Sequence, residues 1–540
     1  MARCRRGGWT VQGLVRRSLT AAIATLAVTW PLAAIAQSTP TTLRAVMHSD
    51  LKVIDPIWVS AQIARTHGYL VYDTLFALDA DMKAQPQMVD SYKVSDDKLT
   101  YTFVLRDGLQ WHDGRPVLAA DCVQSIKRWA ERDGVGQRLM QATKDLEAVD
   151  DKTFRLTLKE PYGFVIESFA KPGSTAPFMM PKRIADTPGT QQIRDATGSG
   201  PFIFKADEWK PGEKVVYVKN PNYKPRAEPP SGLAGGKVPK IDRIEWLVMP
   251  DVQTAVNALQ NNEIDVIEAL PPDLLPMLQA NKSIVYQRGK YPGQYTFRLN
   301  WLHPPFDNPK IREAAGYAID QKPFLDAQVG DEKFYQVCKA YFICGTPLAT
   351  TEGMDGRLEG NVAKARELLK AAGYDGTPVV LMRTTDLAAL VNLAPVAKAQ
   401  LEKAGFKVDM QSADWQTTVS RTNKRDAPAN GGWNLFLTSW GALDSSNPIV
   451  SQNLNASCEK ATPGWPCDKK LEELRDQFAR APDLEQQKKI ATEIQVRAAT
   501  LGTHYPLGEW YGMMVHRTNS KGWLPPMSAM LFWNAEKTGP

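Results

Sequence analysis

The residue types that could carry out a reaction are present in this chain but dispersed. The six histidines stand at 48, 67, 112, 303, 504 and 516, and a single histidine is more often a structural or surface residue than a ligand. No His-Glu-x-x-His offers a zinc hydrolase site, and no Gly-x-Ser-x-Gly aims a nucleophilic serine. Gly235-Gly236-Lys237 is followed by Val238, without the Ser or Thr that holds magnesium in a phosphate loop. Gly198-Ser199-Gly200 lacks the third glycine of a dinucleotide loop. Asp96-Asp97 and Asp150-Asp151 sit at turns, where aspartate accepts backbone N–H groups. A chain without a catalytic constellation reads as a binder, although a nucleophile and its base can lie far apart in sequence.

The cysteines suggest a different chemistry. Of six, Cys338 and Cys344 lie six apart, and Cys458 and Cys467 nine apart. Both spacings suit short loop-closing disulfides. The rival reading, a metal site, lacks a Cys-x-x-Cys and a histidine within either loop. Cys122, in ADCVQSIKRW, falls at helix-core spacing with Ile126 and Trp129 and is expected as a buried free thiol.

The first 36 residues explain an oxidising compartment. Arg3, Arg5, Arg6, Arg16 and Arg17 precede an apolar run from Leu19 to Ala36 that ends in Ala34-Ile35-Ala36. That is the pattern of a cleaved secretory signal, giving a mature N-terminus at Gln37. A membrane anchor is the alternative, but the run is short and holds three threonines and Pro31. Arg16-Arg17 leaves the twin-arginine and general export routes both open. Removing the leader takes five arginines and no acid, so a net charge of +6 falls to +1. Nothing basic enough for nucleic acid remains.

At 540 residues the chain is too long for one core, so two or three lobes are expected. Thr42 to Met47 alternates as a strand that runs into polar His48-Ser49-Asp50. A helix is predicted over 64–78, a strand over 99–105, a helix over 119–132 and strands over 153–159, 215–218 and 244–248. Asn361 caps a helix that Gly373 stops. A strand at 378–382, a helix over 392–404 and a strand at 406–410 make a βαβ unit, so that sheet is partly parallel. Helices at 469–480 and 484–500 follow. The fold class is α/β, or mixed α+β.

Several long strings then carry a resemblance. LTYTFVLRDGLQWHDGRPVLAADCVQSIKRW (99–129), TGSGPFIFKADEWKPGEKVVYVKNPNYK (197–224), WLHPPFDNPKIREAAGYAIDQKPF (301–324) and AKARELLKAAGY (363–374) occur in one order. Together they resemble the peptide/nickel class of bacterial extracellular solute-binding proteins, over about 42 to 515. PGWPCD (463–468) resembles a cysteine-bearing subgroup. The strings are rich in Asp-Gly, Pro-Gly and Asn-Pro punctuation, so they mark the scaffold, and the surroundings of Trp111 and Trp209 are expected to be structural.

The resemblance implies the two-lobed periplasmic binding protein fold with a hinge and an extra subdomain, without cofactor or chemistry. It places the first lobe at 37–80, 200–290 and 505–540, the subdomain at 81–199 and the second lobe at 291–504. It implies a monomer, free in the periplasm, that captures a dipeptide or short oligopeptide and delivers it to an ABC importer's permease. A nickel chelate, haem, an opine or an oligosaccharide are alternative ligands; an exported hydrolase or a chaperone are alternative functions. In this family a Trp-x-x-Asp segment supplies an aspartate for a peptide's α-ammonium. Here Trp440 and Asp444 match, with Asp444 four residues on instead of three. That extra residue forms a bulge or aims Asp444 elsewhere, and a core Trp440 with a turn-forming Asp444 is an equal reading. Arg383 is the candidate for a ligand carboxylate, although the family's arginine falls where this chain has Asp386. His48 and Trp58 are candidates to face the cleft from the first lobe.

Overall fold

Three larger β-sheets organise the chain, and each gathers strands distant in sequence. The computed structural model describes residues 41–539 apart from 482 and 528, so the leader, Gln37 and Cys4 lie outside the described residues. The first sheet runs in the order Ile284–Arg288, Met513–Arg517, Val266–Ile267, Thr42–Val46, Arg243–Leu247, Lys214–Lys219, Phe202–Phe204. The second runs Tyr335–Gln336, His504–Trp510, Gly293–Leu299, Leu435–Trp440, Val379–Thr384, Val408–Ala413. The third, four-stranded and antiparallel, runs Val89–Val94, Thr100–Leu105, Thr153–Leu158, Thr143–Ala148.

Local sequence accounts for most of these elements. Thr100–Leu105 alternates half-buried and buried residues, and its Phe103 stacks on Phe154 across the pair at 4.8 Å. The helix Ala119–Arg132 buries Cys122, Ile126 and Trp129 on one face. At its start Asp121 accepts the Leu118 and Lys182 N–H groups and the Trp111 indole. Val379–Thr384 and Val408–Ala413 pair in parallel across the helix Leu393–Lys403, which is the expected βαβ unit. Two disulfides, Cys338–Cys344 and Cys458–Cys467, close short loops, and Cys122 is free and buried.

Two expectations need correction. The helix predicted over 64–78 is Gln62–Val71. It stops because Gly200 N–H takes the Val71 carbonyl at 2.8 Å, and because Asp73 is drawn into a buried pair with Lys237 at 2.7 Å. Gly198 permits that close approach: a Cβ there would lie 1.9 Å from the Val71 oxygen. The return to the first sheet, expected at 505, comes later. His504–Trp510 pairs with Gly293–Leu299 in the second sheet, so the chain crosses back at 511–512.

The two crossings lie side by side. The chain leaves the first sheet after Arg288 and enters the second at Gly293; it leaves the second after Trp510 and rejoins the first at Met513. Gly289 N–H donates to the Gly512 carbonyl at 2.8 Å, and the Arg288 guanidinium sits 3.4 Å over the Tyr511 ring. Paired crossings of this kind let two lobes rotate while the connection stays bonded.

Three histidines, two fully buried and His112 partly so, are held as neutral rings. Burial pushes His67 down to about 3, only partly offset by a hydrogen bond to Ile54, and its Nδ1 lies 2.9 Å from the Tyr217 hydroxyl. Burial pushes His112 down to about 4 despite its bond to the Gly200 carbonyl. Burial and the Arg298 charge hold His504 well below its usual range. The unfolded chain protonates all three near pH 6.5, so their contribution to stability is complete above that pH and drains as pH falls towards 4 and 3. Each gives a slope of about 1.4 kcal/mol per pH unit below 6.5. Urea unfolding should therefore show stability falling from pH 7 to pH 5, and His67→Gln should make that fall shallower by about 1.4 kcal/mol per unit. Stability that stays flat over this interval contradicts the assignment.

Candidate functional site

The segment after the strand Leu435–Trp440 carries the most informative side chain. Gly441 continues extended, and Ala442–Ser445 closes a single 3-10 turn in which Asp444 N–H donates to the Gly441 carbonyl at 2.9 Å. The additional residue between Trp440 and Asp444 is absorbed in that turn, which aims the carboxylate at residues distant in sequence.

Three groups from the rest of the molecule meet it. Arg65, on the helix Gln62–Val71, places Nη1 3.4 Å from Oδ2. Ser174 donates its hydroxyl to Oδ1 at 2.9 Å. Gly173 is pressed so close that a Cβ would lie 2.0 Å from Oδ1. The side chains of Arg65 and Asp444 are 4% and 6% exposed, so the pair is almost dry. Removing one partner of a buried pair strands the other charge, at a cost of about 3–5 kcal/mol.

The segment 171–175 that presents Gly173 and Ser174 is itself pinned. Lys171 Nζ pairs with Asp133 at 2.9 Å and donates to the carbonyls of Gly173 at 2.7 Å and Thr175 at 3.2 Å. Asp133 also accepts the Thr175 hydroxyl at 2.6 Å and caps the helix Gly134–Ala142. Further out, Arg138 on that helix pairs with Glu472 and Asp476 of the helix Lys469–Arg480, and Arg480 pairs with Glu160 at 2.7 Å. Burial opposes the Glu472 charge, but Arg475 and Arg138 together hold its carboxyl below the usual range.

The other candidates lie apart from this contact. Trp440 is half-buried and its indole N–H is buried without a partner, as is the Oε1 of Gln294, its neighbour across the strand pair. Arg383 also has a buried, unpartnered Nε. Its neighbour Met382 is in register with Phe436 and clusters with it. Strand alternation then sets Arg383 on one face of the sheet and Trp440, with Phe436, on the other. His48 bonds Glu268: its Nδ1 and backbone N–H lie 2.6 and 3.0 Å from one carboxylate oxygen. Burial opposes the Glu268 charge, yet His48 holds that carboxyl below the usual range. The Trp58 indole donates to the Thr190 carbonyl at 3.4 Å and lies beside Arg132.

Trp440 and Asp444 therefore flank one turn, whereas His48 and Trp58 find separate partners and Arg383 lies on the other face of the sheet. Sequence reasoning missed Arg65, Ser174 and Gly173. The signal for Arg65 was available: a charge inside the apolar helical stretch around Ile63-Ala64 and Tyr69-Leu70-Val71 is buried only when paired. Cys338, Cys344 and Glu509 come within 4.8 Å of one another as donors, but the two sulfurs are bonded to each other. Burial holds the Glu509 carboxyl above its usual range, against hydrogen bonds from Gln336 and the Cys344 N–H.

Gly173→Ala drives a methyl into the Asp444 carboxylate. Its backbone is not left-handed, so the clash with Asp444 is the defect. The variant should stay folded, show a larger radius of gyration than wild type by X-ray scattering, and lose ligand affinity by about tenfold or more, the equivalent of ~1.4 kcal/mol. An unchanged radius and affinity would mean that this approach is incidental.

Residues 83–462 match the family model of bacterial extracellular solute-binding proteins, family 5. The chain is 38% identical over 493 residues to the probable peptide ABC transporter periplasmic-binding protein y4tO of Sinorhizobium fredii (strain NBRC 101917 / NGR234), covering 90% of this chain and 92% of that one. Among solved structures it resembles the dipeptide-binding protein of Pseudoalteromonas sp. SM9913 in complex with Met-Leu, with a TM-score of 0.77 and 18% identity over 92% of this chain and 100% of the other. It also resembles AgaA of A. tumefaciens R10 in complex with agropinic acid, with a TM-score of 0.76 and 21% identity over 92% and 99%. The fold is that of the two-lobed periplasmic binding proteins. No helix among the described residues is long and apolar enough to cross a membrane.

Proposed function

The chain belongs to the bacterial extracellular solute-binding proteins of family 5, and on that premise we propose that it is the periplasmic binding component of an ABC importer for small peptides. The family consists of transport binding proteins, not enzymes. The peptide reading is supported by the name of the Sinorhizobium relative and by the Met-Leu held in the Pseudoalteromonas structure.

The observation that carries the mechanism is Asp444. It stands on the second lobe and is buried among Arg65, Ser174 and Gly173, which belong to the rest of the molecule. Such a contact exists only when the lobes are closed. In this reading the first lobe comprises residues up to 80, 200–290 and 511 onward, the second comprises 291–510, and 81–199 is the subdomain. The crossings at 289–292 and 511–512 are the hinge. A ligand between the lobes shifts the equilibrium by its extra affinity for the closed form, and the importer's permease reads that form. Trp440 offers an apolar wall with one donor, its unpartnered indole N–H. Arg383 Nε is a second unpartnered donor, but it lies on the opposite face of the sheet from Trp440, so the two do not line one wall. His48 and Trp58 serve the cleft by holding the first-lobe loop that carries them.

The leader at 1–36 fits the same reading: export, cleavage after Ala36 and a soluble, monomeric periplasmic protein. The test is mass spectrometry of protein expressed with its own leader, both intact and after mild denaturation to release bound solute. The expected results are a chain that starts at Gln37 and a solute that fragments into amino-acid residues. A released sugar or metal chelate contradicts the peptide assignment, and an intact leader in the membrane fraction contradicts the location.

A further inference from the structure

The charges around Asp444 leave no room for the role its position suggests. A peptide's α-ammonium needs a carboxylate with an unmet negative charge. Asp444 already faces a resident cation, Arg65, at 3.4 Å, and takes the Ser174 hydroxyl at 2.9 Å. The next cation along, Lys171, holds the Gly173 carbonyl and is matched by Asp133. Arg65 faces Asp444 and Lys171 faces Asp133, and all four side chains are buried. An ammonium brought here would be a third cation against two acids, in a place that water scarcely reaches, and an unpaired buried charge is strongly disfavoured. Gly173 adds a steric limit, because the space beside Oδ1 is already filled by backbone.

We propose that Arg65 is a specificity-determining residue: by occupying Asp444 it selects peptides whose amino end carries no charge, such as N-acylated or cyclised N-termini. The inference rests on the peptide reading above and names the substrate class within it. Arg65 acts by electrostatic exclusion. With the guanidinium removed, Asp444 becomes a buried, unbalanced carboxylate, and a ligand ammonium is then the group that neutralises it.

The experiment uses the mature protein and two matched libraries of di- to tetrapeptides, one with free amino ends and one N-acetylated. Retained peptides are quantified by mass spectrometry after gel filtration, and the best of each library is measured by calorimetry. Wild type should favour the acetylated partner by about tenfold or more. Arg65→Gln should abolish or invert that preference, while Arg65→Lys, which keeps the charge, should preserve it. Wild type that binds free-amine peptides equally well or better overturns the proposal, whatever the variants do. A folded Arg65→Gln that keeps the full preference for acetylated peptides removes Arg65 from it and overturns the assignment as well. If neither library is retained, the peptide reading fails and this inference falls with it. Should Arg65→Gln not fold, the wild-type comparison decides.

Discussion

A buried carboxylate cannot stand alone, and Asp444 meets residues distant in sequence for that reason. Its own turn supplies only geometry. Its counter-charge comes from Arg65 on the helix Gln62–Val71, and its hydrogen bond from Ser174. Each partner is held by further structure: Arg65 by a helix packed through Tyr69, Leu70 and Val71, and Ser174 by a segment that Lys171 and Asp133 lock. Opening the lobes exposes both charges to water, where they are well solvated; closing them makes a dry pair that roughly breaks even. A contact of that kind supplies register more than affinity, so the ligand decides whether the closed form prevails.

The sheets explain how so large a molecule can move as two parts. The chain passes between the first and second sheets only at 289–292 and 511–512. Glycines stand at both crossings, and the bond from Gly289 to Gly512 continues the ladder of the first sheet into the junction. Rotation there disturbs few packed side chains. By contrast, Arg138 with Glu472 and Asp476, and Arg480 with Glu160, join segments distant in sequence. They are partly solvated, so each adds little energy and their sum steers the approach.

Much of the scaffold was legible in the sequence. Strand alternation located Thr100–Leu105 and Thr153–Leu158, and Asn361 announced its helix by capping the Lys364 N–H. Those features depend on neighbours in sequence. The failures depended on distant contacts: a helix cut short by Gly198 and Gly200, and a strand, His504–Trp510, claimed by the second sheet. The site was less legible for the same reason. Motif matching nominated Trp440 and Asp444, but the cation beside Asp444 lies 379 residues away. Strand parity puts Arg383 and Trp440, each a ligand candidate on sequence, on opposite faces.

The central claim is that two lobes close on a ligand and that Asp444 meets Arg65 only in the closed form. Single-molecule energy transfer between dyes at two exposed positions, Val149 beside the four-stranded sheet and Leu484 on the second lobe, measures it most directly. The account predicts two interconverting distances, with ligand moving the population to one of them and Asp444→Asn depleting that state at equal ligand occupancy. A single distance, unchanged at saturation, would contradict it.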